Sequence, residues 1–179
     1  FNDFFSSQKQ IKKLTKNKKI STLFFNNFTV DNLILNKSNV ELKKELEENI
    51  IKVFEYSKSV AKIMIENDFG RLIYFGSSRA LNSDIGISGY SISKNALIGL
   101  MKSFSKEFSR YNITANCISL GFFKSPLFLK INKKIKNKML SRCTIKNLGD
   151  IDSIENAIYF IANSKYLTGS TLFLDGGYE

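Results

Sequence analysis

The sequence predicts an α/β fold: one domain built on a parallel sheet with helices on both faces. Three observations predict it. Strand-like and helix-like segments alternate along the chain. The strand-like runs, such as "GRLIYFGSS" (70–78) and "NITANCIS" (112–119), show no period of two, as expected of strands buried on both faces. A chain of 179 residues with 43% apolar content suits a single domain with its own core.

The elements follow in order. Residues 3–18 read as a basic, modestly amphipathic helix, and "ISTLFFNN" (20–27) as a buried strand closed by asparagines. Ser38 and Glu41 have the spacing of a capping box that opens a long helix. Leu42, Leu46, Ile50, Val53, Phe54, Ala61 and Met64 continue it at helical spacing to about Asn67. Strand 70–78 ends in a small-residue loop, and a second long helix spans 90–110 with Leu97, Leu100, Met101, Phe104 and Phe108 on one stripe. Strand 112–119, a basic helix over 128–140, a shorter helix over 152–163 and a last strand in "TLFLDGG" (171–177) complete the chain. The single proline, Pro126, lies beyond a strand, where it interrupts nothing.

Composition removes several kinds of chemistry. The chain has no histidine, which excludes Ser-His-Asp and Cys-His nucleophiles and any His-bearing zinc site. An enzyme with this composition must move protons with Tyr, Lys, Asp, Glu or a thiol. Cys117 and Cys143 have no metal-ligand spacing, no metal site is expected, and they read as reduced thiols of a cytoplasmic protein. No apolar run approaches the ~20 residues of a membrane span, and "FNDFFSSQKQ" does not read as a signal peptide, so no membrane role is expected. The net charge of +11 raises nucleic acid as a partner. The lysines, however, are scattered among asparagines without an aromatic platform, so a solvated basic surface is the better reading.

Tyr90 and Lys94, in "GYSISK", stand four residues apart at the start of the second long helix. With 7 Tyr in a lysine-rich chain, chance alone supplies about one such spacing. Context raises its weight. Ser77 ends strand 70–78, and in an α/β sheet the binding crevice lies outside the C-terminal ends of the strands. Loop 78–89 can bring Ser77 beside Tyr90, with Lys94 on the same helical face. An ammonium near a phenol favours the phenolate and makes proton exchange with a hydroxyl or carbonyl practical. Taken singly, each has a plainer and better reading: Ser77 as a turn former, Tyr90 as a half-buried helix residue and Lys94 as a solvated charge.

Together these segments resemble the short-chain dehydrogenase/reductase family, closest in pattern to its 3-oxoacyl-carrier-protein reductases. "EENIIKVF" matches the family's catalytic Asn at Asn49, "GRLIYFGSS" its Ser at Ser77, and "YSISK" its Tyr and Lys at Tyr90 and Lys94. "NITANCISLGFFKSPL" is similar to the strand and Pro-Gly-x-x-x-Thr segment, "YLTGSTLFLDGG" to the C-terminal ending, and "LFFNNFTVDNLIL" to the Asn-Asn-Ala-Gly strand end.

The resemblance implies a Rossmann-like doubly wound sheet and hydride transfer between NAD or NADP and a ketone or alcohol. Tyr90 would be the acid or base, Lys94 would lower its pKa and hold the ribose, Ser77 would orient the carbonyl, and Asn49 would hold a proton-relay water. Gly121, Phe123 and Ser125 would hold the nicotinamide half, and Asn26 would lie near the adenosine ribose. A 3-oxoacyl group on acyl carrier protein, a sugar or another small carbonyl compound would be the substrate. The family habit is a dimer or tetramer through the two long helices.

The departures are specific. The family's glycine-rich turn Thr-Gly-x-x-x-Gly-x-Gly has no counterpart here, since Gly70 and Gly76 flank a strand. The expectation is an N-terminally truncated domain over 1–179 that keeps strands four to seven and lacks the first two βα units. The absence of an initiator Met points the same way. The alternative function is a non-catalytic relic that serves subunit association. Leu120 stands where the family has Pro and is expected to loosen the turn, while Ser125 replaces a Thr and keeps the hydroxyl.

Overall fold

The computed structural model describes residues 21–24, 29 and 31–179. The expected helix 3–18, residues 25–27 of the first expected strand, and Asn26 with them, lie outside the described residues. Among the described residues four strands form one parallel sheet in the order β1 (Ser21–Phe24), β2 (Gly70–Ser77), β3 (Ile113–Leu120) and β4 (Thr171–Leu174). The expected α/β sheet is therefore present.

Both faces of this sheet are covered. Leu72, Tyr74, Ile113, Ala115 and Cys117 form one buried cluster with Val53, Val60, Ala61, Met64, Leu97, Met101 and Phe104 from the two long helices. The intervening strand residues Ile73, Phe75 and Ile118 point to the other face and pack on Ala157 and Ile161 of the last helix. Every residue of β2 is buried, which is why a period of two never appears in its sequence. Each such apolar side chain contributes roughly 1.5–3 kcal/mol of burial.

The first long helix opens with the capping box expected at Ser38. The Ser38 hydroxyl accepts from the Glu41 N–H at 3.2 Å, and the Glu41 carboxylate accepts from the Ser38 N–H at 2.7 Å. The helix is not uniform: α1 (Asn39–Leu46) passes through a π turn, Glu47–Ile51, into α2 (Lys52–Glu66). A π turn holds more residues per turn than an α-helix, so Glu45, Asn49, Val53 and Ser57, four apart, all stay buried. Phe54, expected on the core face, is 44% exposed as a result.

A short helix, α3 (Ser78–Leu81), stands where a loop is expected and follows β2 directly, with the Ser77 hydroxyl accepting from the Ala80 N–H. The second long helix, α4, spans Ser88–Phe108. The basic helix expected over 128–140 is split into α5 (Pro126–Leu129) and α6 (Lys133–Leu140), because Asn132 caps the second piece through Lys134 N–H. Pro126 takes the first position of α5, where its missing N–H is not needed. The last helix, α7, covers Ile151–Asn163. Among the described residues no helix is long and apolar enough to cross a membrane.

Candidate active site

The C-terminal ends of β2, β3 and β4 lie side by side, with Ser77 paired to Leu120 and Leu120 to Leu174. The start of α4 joins this edge through α3 and loop 82–87. Ser77, at the end of β2, is buried, and its side chain lies close enough to the phenol of Tyr90, the third residue of α4, to favour the phenolate. Lys94 lies one turn further on and is 4% exposed. Its Nζ donates to the Phe75 carbonyl at 2.8 Å and stands 5.6 Å from the centre of the Tyr90 ring. Ser77, Tyr90 and Lys94 thus lie together at this edge of the sheet.

Burial pushes the Tyr90 phenol above its ordinary value, opposed by Ser77 and the nearby Arg79 charge and reinforced by Asp31. The Lys94 ammonium is itself desolvated, which pulls its pKa down to about 8, and its Nζ donates to the Phe75 carbonyl. Cys117, beneath it in β3, is pushed up by burial to about 11 and remains a thiol at neutral pH.

The fourth member of the expected tetrad, Asn49, is buried in the π turn. That segment packs against α4, so Asn49 reaches the site's neighbourhood from the helix beside Tyr90 and Lys94. A widened turn at this position is a local distortion of the kind often found at functional sites.

Residues 121–125 form the opposite wall. A Cβ on Gly121 would stand 2.5 Å from the Asp175 Cα, so glycine is what lets the end of β3 approach the turn after β4. The Gly121 N–H donates to the Leu174 carbonyl at 3.0 Å. Leu120 does not loosen this turn: it is the last ladder residue of β3 and packs on the second core cluster. Phe123 forms a parallel bridge with Gly149, which leaves its own N–H and C=O directed away from Gly149. The Ser125 hydroxyl accepts from the Phe128 N–H at 3.1 Å and so caps α5.

Three groups at this edge were not found from sequence. The Ser78 hydroxyl donates to the Asp175 carboxylate at 2.5 Å and lies 3.2 Å from the Ser119 hydroxyl, tying the residue after Ser77 across to β4. Arg79 and Asp84 form an ion pair at 3.0 Å within the connection from Ser77 to Tyr90. Tyr178, near the C-terminus, donates to Asp84 at 3.0 Å. The Asp-Gly-Gly turn at 175–177 was the one sequence signal for this convergence.

The sequence model of the family described as Enoyl-(Acyl carrier protein) reductase matches residues 11–179. The chain belongs to the short-chain dehydrogenase/reductase family. Members of this family are NAD(P)-dependent oxidoreductases. One member similar to this chain is the 3-oxoacyl-(acyl-carrier-protein) reductase FabG of Buchnera aphidicola subsp. Schizaphis graminum. It is 35% identical over 172 residues, which cover 94% of this chain and 70% of the relative. The enzyme of the same name from Escherichia coli is 31% identical over 151 residues, 83% of this chain and 62% of its own. Nodulation protein G of Rhizobium sp. is 29% identical over the same shares.

Proposed function

We propose that this chain carries the proton-transfer half of a carbonyl reductase, with Tyr90 as the acid in reduction and the base in oxidation. The observation that carries the reading is the buried Lys94 ammonium 5.6 Å from the centre of the Tyr90 ring, beside Ser77 at the C-terminal edge of a parallel sheet. In reduction Tyr90 Oη gives its proton to the carbonyl oxygen, and Ser77 Oγ holds the same oxygen in line. Lys94, with its pKa pulled down to about 8, can release and regain a proton near neutral pH. Asn49 supports the relay from the neighbouring helix.

The donor set fits the nicotinamide half of NAD or NADP, which supplies or accepts the hydride when bound. Tyr90 and Lys94 would hold the ribose, while Phe123 would offer its backbone N–H and Ser125 its hydroxyl. Reductases similar in sequence are named for 3-oxoacyl groups on acyl carrier protein, so a 3-oxoacyl thioester is the substrate class we favour. A small-molecule sugar or other carbonyl substrate uses the same proton chemistry.

A second reading is favoured by the apolar side chains exposed on the long helices, namely Ile51, Phe54, Tyr56 and Ile92. In it the chain serves association with copies of itself as a dimer or tetramer, with or without catalysis.

One experiment separates the two readings. Oxidation of NADH and NADPH is followed with an acetoacetyl thioester and the wild-type chain or Tyr90→Phe. The catalytic reading expects turnover in the wild type and a loss of at least about 100-fold in Tyr90→Phe at unchanged thermal stability. Equal turnover in both proteins rejects Tyr90 as the proton donor. No turnover with either dinucleotide leaves association as the function.

A further inference from the structure

We propose that α6 and the residues just before it form the docking face for an acidic carrier protein, which brings a 3-oxoacyl thioester to the site beside it. The choice of partner rests on the substrate class proposed above. The face itself rests on charge and geometry.

Charge is unevenly placed along this chain. Residues 108–149 contain no Asp or Glu, and residues 124–146 hold eight of the 27 basic residues. The other 19 stand against all 16 acidic residues, so most of the net charge of +11 belongs to this one segment. The segment leaves the sheet at the 121–125 wall, where the Phe122 and Phe128 ring centres lie 5.3 Å apart. It returns beside the turn after β4, where the Thr144 and Ile145 N–H groups donate to the Gly177 and Gly176 carbonyls at 2.9 and 2.8 Å. Both anchors lie at the C-terminal edge of the sheet, the edge that carries Ser77.

Part of this charge is engaged within the chain. Lys124 pairs with Asp150 at 2.6 Å, Arg142 pairs with Asp84, and Lys146 Nζ donates to the Ser141 carbonyl at 2.9 Å. Lys136 is half-buried, with its Nζ 5.8 Å from the centre of the Phe128 ring. Lys130, Lys133, Lys134 and Lys138 are exposed, and among the described residues none of them forms an ion pair.

That arrangement works against the helix that carries it. Lys133 and Lys134 stand at the positive N-terminal end of α6, Lys134 and Lys138 repel each other across one turn, and no side chain of α6 is buried. Carboxylates on a partner would turn each repulsion into attraction. Ile135, 55% exposed beside Lys134, adds an apolar contact within the charged face. The same composition favours a protein over a nucleic acid. The four exposed cations are all lysines, which lack the two-pronged grip of arginine on phosphate, and α6 has no aromatic ring on which a base could stack.

The test is binding, which needs no turnover. The probe is a fluorescein-labelled acyl carrier protein bearing its phosphopantetheine arm, followed by fluorescence anisotropy at low and high salt. Lys133→Gln/Lys134→Gln/Lys138→Gln removes three charges from the face. Lys43→Gln/Lys62→Gln/Lys165→Gln removes three from exposed positions elsewhere and controls for net charge. Docking on α6 expects the first triple variant to weaken binding at least about 10-fold and to flatten its salt dependence. The second should weaken binding less than about 3-fold, with the thermal transition of both variants unchanged. Equal weakening by the two variants, or no binding by the wild type at low salt, would overturn the docking face. So would tighter binding of a single-stranded oligonucleotide that only the first variant loses, which would give the face to nucleic acid. Turnover keeps the catalytic reading separate. Acetoacetyl on a small thiol should be reduced alike by the wild type and the first variant, while KM for acetoacetyl on the carrier protein rises in that variant. Absence of turnover with both substrates rejects the catalytic reading and leaves the binding comparison to decide the face.

Discussion

Lys94 joins two facts that sequence alone could not connect. Its spacing from Tyr90 was legible, but its partner was not, because the Phe75 carbonyl belongs to a strand that only the packing of α4 on the sheet brings within 2.8 Å. Burial of the ammonium carries a pH signature. The folded pKa, about 8, lies below the ordinary 10.5, so between these values the unfolded chain binds the proton more tightly than the folded one. The penalty is complete below about pH 8 and is relieved as pH rises toward the unfolded value. Lys94→Met escapes it. The stability of Lys94→Met relative to wild type should therefore fall by about 3 kcal/mol between pH ~7.5 and pH ~10.5. Urea unfolding at the two pH values measures this. A relative stability that stays flat, or rises with pH, contradicts the buried-ammonium account. The high-titrating Cys117 thiol has the opposite slope and interacts electrostatically with Lys94, so the comparison is made in a Cys117→Ala background.

Among elements, the long helix shows where periodicity succeeds and where it stops. Its start was legible because a capping box is a local signal in four residues, Ser38 to Glu41. The π turn was not, because nothing in "EENII" marks an inserted residue, and the phase change appears only as Phe54 turned outward. The same turn lets Glu45 face α4. There Glu45 accepts from Lys37 at 2.7 Å, in an ion pair with both side chains almost wholly buried. Gly89 is what makes room: a Cβ at that position would lie 1.7 Å from Glu45 Oε2. Gly89→Ala should thus lower stability by roughly 1–3 kcal/mol through overpacking, although alanine is the better helix former. Because Tyr90 is the next residue, the same variant should also disturb the site. Unfolding by urea reports the first effect, and the fluorine shift of a labelled Tyr90 reports the second. A stabilised Gly89→Ala would show that helix propensity, and not contact with Glu45, governs the start of α4.

At the scale of the whole molecule, the sheet was the most legible feature. Continuous apolar runs such as residues 71–75 can be buried on both faces only if helices lie above and below, as the two core clusters confirm. The site was legible in its short-range parts, Ser77, Tyr90 and Lys94. It was opaque wherever distant segments converge, as Asp84, Arg142 and Tyr178 do over 94 residues of chain. Association belongs to this scale too. Ile51, Phe54 and Tyr56 are 44%, 44% and 54% exposed along the first long helix, and Ile92 is 48% exposed on the second. Burying such side chains against a second copy would gain roughly 1–2 kcal/mol each. A charge in their midst would oppose association without touching the core. The expected result is a dimer or tetramer in sedimentation velocity at micromolar concentration, shifted toward monomer by Phe54→Glu with the thermal transition of the dilute protein unchanged. Phe54 is the informative position because it is the apolar residue that the π turn expels from the core. A wild-type chain that sediments as a monomer throughout would show that this outward turn serves the helix alone and would remove the association reading.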